Sequence, residues 1–115
     1  MKDFVLIFRG VNDDPSNQLS PQQMQDIMTN WQNWMGGIAA QNKLASRGYR
    51  LGDEISTLKP GNVITDGPYA EIKEMLSGII VVKADSLAEA KEIAKGCPIL
   101  TVNGSVEVRS VIVMN

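Results

Sequence analysis

Asp66 has the sequence neighbours that best suit a chemical role in this chain. It precedes Gly67 and Pro68, a pair typical of a tight turn. A carboxylate beside a turn at the end of a sheet can act as a general base or bind a cationic ligand. It can equally accept hydrogen bonds from backbone amides and so cap the turn and a short helix after it. Both roles are open, and the capping role is favoured because aspartate commonly takes it in turns.

Three charged residues near the two ends of the chain form a second candidate site. Glu107 and Arg109 are two positions apart in a predicted strand, so their side chains point to the same face. Arg9 ends the first predicted strand, which we expect to neighbour the last. An arginine can hold a carboxylate or phosphate with two parallel hydrogen bonds, so all three are candidate ligand-binding residues. The alternative, which we favour somewhat, is a structural ion pair across neighbouring strands.

Trp34 and Cys97 are weaker candidates. Trp34 belongs to a stripe of tryptophans and methionines at helical spacing, which usually packs into a core but can also form a wall of a ligand site. It sits toward the edge of that stripe and is therefore kept as a candidate ligand-binding residue. Cys97 has no histidine to activate it, and a buried thiol of this kind is usually inert.

The composition excludes several classes of function. The chain contains no histidine and one cysteine, which rules out a histidine triad, a histidine-ligated metal, a thiolate metal site and an internal disulfide. The carboxylates form no obvious cluster and there is no phosphate-binding loop, so we expect neither a metal nor a cofactor. The 11 basic and 13 acidic residues give a net charge of -2, which argues against nucleic-acid binding.

Length and patterning indicate a small intracellular domain. The 115 residues suit one domain over residues 1–115. The apolar run near the N-terminus, residues 4–8, is too short for a signal peptide or a membrane span, so we expect a soluble, cytoplasmic protein with no membrane association.

The spacing of the apolar residues predicts the strands and helices that position these candidate residues. A strand with apolar residues on both faces is predicted over residues 2–9, and a second such strand over residues 78–84. A long amphipathic helix begins at Ser20, where Pro21 and Gln23 complete a capping box, and Gly36-Gly37 indicates a kink or a close approach of this helix to a sheet. The remaining predictions are one or two strands in residues 49–59, a strand over 63–65, a helix capped near Ser86 and a strand over 106–113.

This order of elements predicts an α+β fold of the ferredoxin-like β-α-β-β-α-β type. Its helices cover one face of an antiparallel sheet, so apolar residues on the other face need a second cover. We expect a homodimer in which two sheets pack face to face. The two central strands are expected to carry one face with Phe4, Leu6, Phe8, Ile79 and Val81, and the other with Val5, Ile7, Ile80 and Val82.

The segment from Thr65 to Glu74, Thr-Asp-Gly-Pro-Tyr-Ala-Glu-Ile-Lys-Glu, resembles the signature of the YCII-related, or DGPF-domain, family. Matching pieces elsewhere extend the resemblance over most of the chain: the first strand ending in Arg9, Trp31-x-x-Trp34-Met35, Ala84-Asp85-Ser86-Leu87-x-Glu89-Ala90, Gly96-Cys97-Pro98 and Val106-Glu107-Val108-Arg109. The resemblance implies a ferredoxin-like domain that forms a dimeric α/β barrel. Some relatives are fused to or encoded beside sigma factors, and others are suggested to be enzymes with a histidine–aspartate pair.

This chain departs from the family pattern in two places. It lacks histidine, so the histidine–aspartate pair cannot form, and Tyr69 replaces the usual phenylalanine. We therefore expect a dimeric domain that binds a small molecule or a partner protein, with a regulatory role as one option. The alternative is a small cofactor-free enzyme in which Asp66 is the acid or base and Arg9 or Arg109 holds an anion.

The two roles of Asp66 predict opposite effects of the Asp66→Ala substitution on stability. A capping aspartate contributes about 0.5–2 kcal/mol, so its loss should lower the free energy of unfolding by that amount. A catalytic base held in an unfavourable environment should, when removed, leave that free energy unchanged or raise it. Urea melts of the two proteins distinguish the roles, and a clear gain in stability would contradict the capping role.

Overall fold

A computed structural model describes residues 1–10, 20–52, 54–67 and 75–114. Its elements, in chain order, are β1 (Lys2–Arg9), α1 (Pro21–Ala40), β2 (Leu44–Arg50), β3 (Ser56–Lys59), β4 (Val63–Asp66), β5 (Leu76–Ala84), α2 (Leu87–Ala94), a short 3-10 helix (Pro98–Thr101) and β6 (Ser105–Ser110).

Four of the strands form one antiparallel sheet in the order β2-β5-β1-β6. The two helices pack on one face of it, so the chain has the α+β architecture and the strand order of a ferredoxin-like fold. The central strands are β1 and β5, the two whose apolar residues occupy both faces. Among the described strands, β3 and β4 pair only with each other and form a separate hairpin.

Strand β2 differs from its predicted position. It begins at Leu44, whereas the sequence placed one or two strands in residues 49–59. The strand lies at the edge of the sheet and most of its side chains are exposed, so it shows no apolar alternation. Backbone pairing with β5, interrupted by a register shift between Ser46 and Tyr49, holds it in place.

The cross-strand register decides which apolar residues share a face. Phe4 lies opposite Val82 and Leu6 lies opposite Ile80, and these side chains are buried beneath the helices. The other face carries four half-buried side chains, which with their strands we call the open face: Val5, Ile7, Ile79 and Val81. The expected grouping of Phe4 with Ile79 and of Val5 with Ile80 is therefore wrong, because the pairing register between distant strands is not visible in either strand alone.

The core lies between the inner face of the sheet and the helices. Eleven of the described residues are buried in it: Phe4, Leu6, Phe8, Ile38, Ile80, Val82, Ala84, Ala90, Ala94, Cys97 and Ile99. Trp31, Trp34 and Met35 of α1 pack against this core, whereas Met24 and Met28, one to two turns earlier, are exposed. Only the second half of the apolar stripe of α1 is thus covered by described residues.

Local capping explains where both helices begin. The Ser20 hydroxyl accepts a hydrogen bond from the Gln23 amide at 3.1 Å, and the Gln23 side chain accepts one from the Ser20 amide at 2.9 Å. This is the predicted capping box. The Ser86 hydroxyl caps α2 in the same way by accepting from the Glu89 amide at 3.2 Å.

The last strand is shorter than predicted. It ends at Ser110, which lies opposite Phe4. Because β1 begins at Lys2, the same register cannot extend the ladder as far as Val113. The Val111 amide still donates to the Asp3 carbonyl, but the apolar residues after it are exposed. Within the described parts of the chain, no helix is long and apolar enough to cross a membrane.

Glycine has a structural role at Gly48 and not at the glycine pair in α1. Helix α1 continues through Gly36 and Gly37 to Ala40, and a Cβ at either position would meet no described residue within 4 Å. Of the two expected alternatives, the close approach to the described sheet is therefore wrong. Gly48 adopts φ +62° at the bulge of β2, and a Cβ there would overlap the carbonyl oxygen of Ile79. Only glycine fits both the conformation and the space.

Alanine substitutions at Gly48 and Gly36 should change stability in opposite directions. Gly48→Ala should lower the free energy of unfolding by at least about 2 kcal/mol, because the left-handed conformation and the clash with β5 both penalise a Cβ. Gly36→Ala should raise it by about 0.5–1 kcal/mol, because it replaces an exposed glycine within a helix. Chemical denaturation of both variants measures the difference, and a tolerated Gly48→Ala would contradict this account of β2.

Candidate functional site

The structure brings Arg9, Glu107 and Arg109 together, as their sequence positions predict. Glu107 lies opposite Ile7 and Arg109 lies opposite Val5 in the β1–β6 ladder, so both point to the open face. The Arg9 Nε lies 3.8 Å from Glu107 Oε1, and the Arg109 Nη1 lies 3.8 Å from Glu107 Oε2. We call these three residues the arginine cluster.

Within the arginine cluster, Arg109 and Glu107 are accessible and loosely paired. The side chain of Arg109 is 69% exposed and that of Glu107 is 43% exposed. Their separation of 3.8 Å is longer than the charge-assisted hydrogen bonds of a tight arginine–carboxylate pair. An exposed pair of this kind contributes little to stability, roughly 0–1 kcal/mol. The N–H donors of Arg109 are therefore available to an anionic ligand.

The surroundings of the cluster are apolar. Val5 and Ile7 of β1 lie directly beside it, and Ile79 and Val81 continue this apolar strip across β5. Tyr49 lies opposite Ile79 and ends the strip on β2, with its side chain largely exposed. The sequence alone does not reveal that Tyr49 lies on the open face, because the bulge at Gly48 determines which face of the sheet its side chain occupies.

Trp34 lies on the opposite side of the sheet from the arginine cluster. Its indole Nε1–H donates a hydrogen bond to the Ile93 carbonyl oxygen at 3.0 Å, which ties α1 to the end of α2. Its ring also meets Phe8 and Trp31 edge to face, with centroid distances of 6.0 and 5.5 Å. These contacts give Trp34 a packing role, and its candidate role in ligand binding stays a prediction that concerns a different face from the arginines.

Asp66 is the last residue of β4, opposite Ser56, and it is exposed. Its side chain makes no hydrogen bond or ion pair within the part of the chain that the structure describes. The backbone of the next residue, Gly67, is held by other groups: its N–H donates to the Ile55 carbonyl at 3.0 Å, and its carbonyl accepts from the Thr57 hydroxyl at 2.9 Å. The short helix that Asp66 is expected to cap is predicted over residues 70–75, and residues 70–74 of it lie outside the described residues.

Cys97 is buried at the start of the 3-10 helix. Its burial raises the pKa of the thiol from 9.0 to about 12, although a backbone hydrogen bond involving Ile99 opposes this rise. The nucleophilic thiolate is therefore scarce at neutral pH, as expected of an unreactive core cysteine.

The described residues offer no group of three or more histidine, cysteine, aspartate or glutamate side chains arranged to hold a metal ion. Among the described residues, the shortest ion pair between separate parts of the fold joins Lys43 Nζ, just before β2, to Glu89 Oε1 of α2 at 3.1 Å. Both side chains are half buried, and the pair fixes the edge of the sheet to the helix.

Comparisons with known proteins support both the family and the fold. A family model described as the YCII-related domain matches residues 5–115. Among solved structures, the chain is similar to 5-chloro-2-hydroxyhydroquinone dehydrochlorinase from Burkholderia phenoliruptrix, which was solved in complex with 2,5-dihydroxybenzoquinone. The TM-score is 0.51 at 17% identity, with 95% of this chain and 93% of that chain covered, so the likeness concerns the fold. No curated protein sequence matches this chain significantly.

Proposed function

The chain belongs to the YCII-related domain family, and from that premise we propose that it is a cytoplasmic homodimeric domain that binds a small anionic molecule. The observation that carries this proposal is the arginine cluster, in which Arg9 and Arg109 flank Glu107 beside an apolar strip. The alternative ligand is a partner protein that binds through the same face, and such binding would have a regulatory role.

The arrangement of charges and apolar groups defines the class of ligand. Arg109 can donate two parallel hydrogen bonds to a carboxylate or phosphate. Val5 and Ile7 can at the same time contact an apolar or aromatic body of the same molecule. Glu107 disfavours a ligand that has a second anionic group beside it, because the two negative charges repel each other. The expected ligand is thus a small molecule with one anionic group and an apolar ring or chain.

The open face supports the dimer. Val5, Ile7, Ile79 and Val81 are only half buried in one chain, and no described helix lies over them. A second sheet packed against this face removes their remaining apolar surface from water and turns the arginine cluster into the wall of a cleft. This arrangement is the dimeric barrel that the family resemblance implies.

An enzyme without a cofactor is the second candidate function. It is favoured by the structural similarity to a dehydrochlorinase, a fold relative that holds 2,5-dihydroxybenzoquinone. In this version Asp66 is the acid or base and Arg9 or Arg109 holds the anion. Two observations oppose this version. The chain lacks histidine. Asp66 also lies on the separate hairpin of β3 and β4, so no pairing between strands places it beside Arg9 or Arg109.

Ligand binding at the arginine cluster predicts a charge-dependent stabilisation of the protein. Benzoate and phenyl phosphate should raise the melting temperature, because a ligand at a hundred times its dissociation constant stabilises a fold by about 2.7 kcal/mol. Benzyl alcohol, which has the ring without the charge, should not. Arg109→Gln should weaken binding at least about tenfold, since it removes a charged hydrogen-bond donor.

The matched control for this experiment is Lys91→Gln, which removes one positive charge from the exposed face of α2. Isothermal titration of both variants separates local binding from a general charge effect. Equal affinities of Arg109→Gln and Lys91→Gln would contradict the proposed site.

The dimer predicts a solution mass of twice the 12.6 kDa of one chain. Val81→Glu should produce monomers, because it places a charge in the centre of the open face. Lys91→Glu should remain dimeric, since Lys91 lies on the exposed side of α2. Light scattering coupled to size exclusion at micromolar concentration measures the mass, and a monomeric wild-type protein would refute the dimer.

A further inference from the structure

Strand β6 forms one edge of the four-stranded sheet, and no described strand pairs with its outer side. The unpaired backbone of an edge strand is a template for pairing with another chain, and proteins commonly block it with a bulge, a proline or a lysine. The sequence of β6 is Ser-Val-Glu-Val-Arg-Ser, and its register against β1 is unbroken. It therefore has no bulge, proline or lysine, and its two charged residues, Glu107 and Arg109, have opposite signs.

The other edge of this sheet is less suited to pairing. Strand β2 is interrupted by two register shifts against β5, and Gly48 adopts φ +62° at its bulge. Its charged residues are Arg47 and Arg50, which repel a second β2 placed beside them. The irregular backbone and the charges of one sign therefore disfavour pairing of β2 with its own copy. Of the two edges, β6 is the one suited to pairing.

The β1–β6 ladder determines which backbone groups of β6 point outward. The Val111 amide donates to the Asp3 carbonyl, and successive residues of an antiparallel strand point their backbone groups alternately to either side. The odd-numbered residues of β6 therefore face β1, whereas Val106, Val108 and Ser110 direct their N–H and C=O groups to the outer edge. These outward groups make no hydrogen bond to any described residue.

The outward groups of β6 are complementary to those of a second β6. When two copies run antiparallel with Val108 opposite Val108, the two valines exchange both of their backbone hydrogen bonds, and Val106 pairs with the partner's Ser110 in the same way. This register also sets Glu107 directly opposite the partner's Arg109, at the close spacing of a pair without backbone hydrogen bonds. The two-fold axis creates this ion pair twice, and both copies of it lie on the open face.

We propose that β6 pairs with β6 of a second copy of this chain in this register, so that Glu107 of each chain contacts the partner's Arg109. The inference rests on the proposed dimer and deepens it, because it names the strands that join the chains and adds a partner residue to the candidate site. A second copy is the occupant because both the hydrogen-bonding groups and the charges of β6 match their own two-fold image.

Pairing at β6 is compatible with a ligand cleft between the open faces. Two four-stranded sheets joined at this edge give eight strands, and an eight-stranded barrel has an interior just wide enough for side chains or one small ligand. Curvature toward the open face turns the apolar strips of the two chains toward each other. Each chain brings Arg9, Arg109 and Glu107 to the joint, an excess of one positive charge that an anionic ligand neutralises.

Two charge-reversal variants test the ion pairs across the joint. Glu107→Arg and Arg109→Glu each place like charges opposite one another at both ion pairs. Each variant alone should therefore have a dimer dissociation constant at least about tenfold above that of the wild type. An equimolar mixture of the two restores opposite charges in the mixed dimer, which should form with roughly the wild-type constant. Sedimentation equilibrium measures the constants, and circular dichroism verifies that both variants are folded.

Two substitutions at Ser110 test the backbone pairing. Ser110→Pro removes an outward N–H group, and proline is tolerated where the N–H of an edge strand faces solvent. Ser110→Ala is the matched control, because it removes the exposed hydroxyl and retains the N–H. Ser110→Pro should raise the dimer dissociation constant at least about fivefold, since each dimer loses two hydrogen bonds, whereas Ser110→Ala should not change it.

Recovery of association on mixing, together with a weaker dimer in Ser110→Pro than in Ser110→Ala, supports the inference, and failure of either result overturns it. Val81→Glu separates this failure from that of the proposed dimer. If Val81→Glu dissociates the dimer but the β6 variants do not, the sheets face each other without pairing at β6. A monomeric wild-type protein that still binds benzoate would overturn the dimer and this inference, and would leave the anion site intact.

Discussion

The pairing of β1 with β5 is the interaction on which the rest of the structure depends. Both strands carry apolar side chains on both faces, and the register that sets Leu6 against Ile80 selects the inner set. The helices then bury this set together with Phe8 and Ile99. The same register leaves Val5, Ile7, Ile79 and Val81 on the outer face, so one pairing creates both the core and a half-buried apolar outer surface.

The candidate site is a consequence of that outer face. Strand β6 pairs with β1 so that Glu107 and Arg109 point to the side that the helices do not cover, and Arg9 reaches the same carboxylate from the neighbouring strand. An ion pair at 3.8 Å on an exposed sheet contributes little to folding. Its position beside an apolar strip is more readily explained by recognition of an anionic group, and this reason favours a binding function over a purely structural one.

The side chains with the most distinctive chemistry in the sequence have mainly structural surroundings. Trp34 uses its N–H group to join two helices, and Cys97 is a core residue whose raised pKa suppresses its reactivity. Asp66 lies at the end of an exposed hairpin, and the adjacent Gly67 is held by Ile55 and Thr57. Within one chain these residues are not gathered into a single pocket, which is why a second copy is central to the proposed function.

The sequence by itself determined the features that depend on local interactions. Ser20 and Gln23 specify the start of α1 within one helical turn, and the alternation in residues 2–9 identifies a central strand. The order of these elements was enough to predict the α+β architecture, and the distinctive segment around Asp66 was enough to indicate the family. Even Arg9, Glu107 and Arg109 could be grouped, because the topology implied that the first and last strands are neighbours.

Only the tertiary structure decided which apolar residues are buried and where the second strand of the sheet lies. A slip of one residue in the β1–β5 pairing exchanges the two faces, and nothing within either strand distinguishes the alternatives. The position of Tyr49 depends likewise on the bulge at Gly48, and the separation of the β3–β4 hairpin depends on β2 already occupying the edge of the sheet. These outcomes are set by contacts between residues far apart in the chain, and the free energy of those contacts exists only once the strands have met.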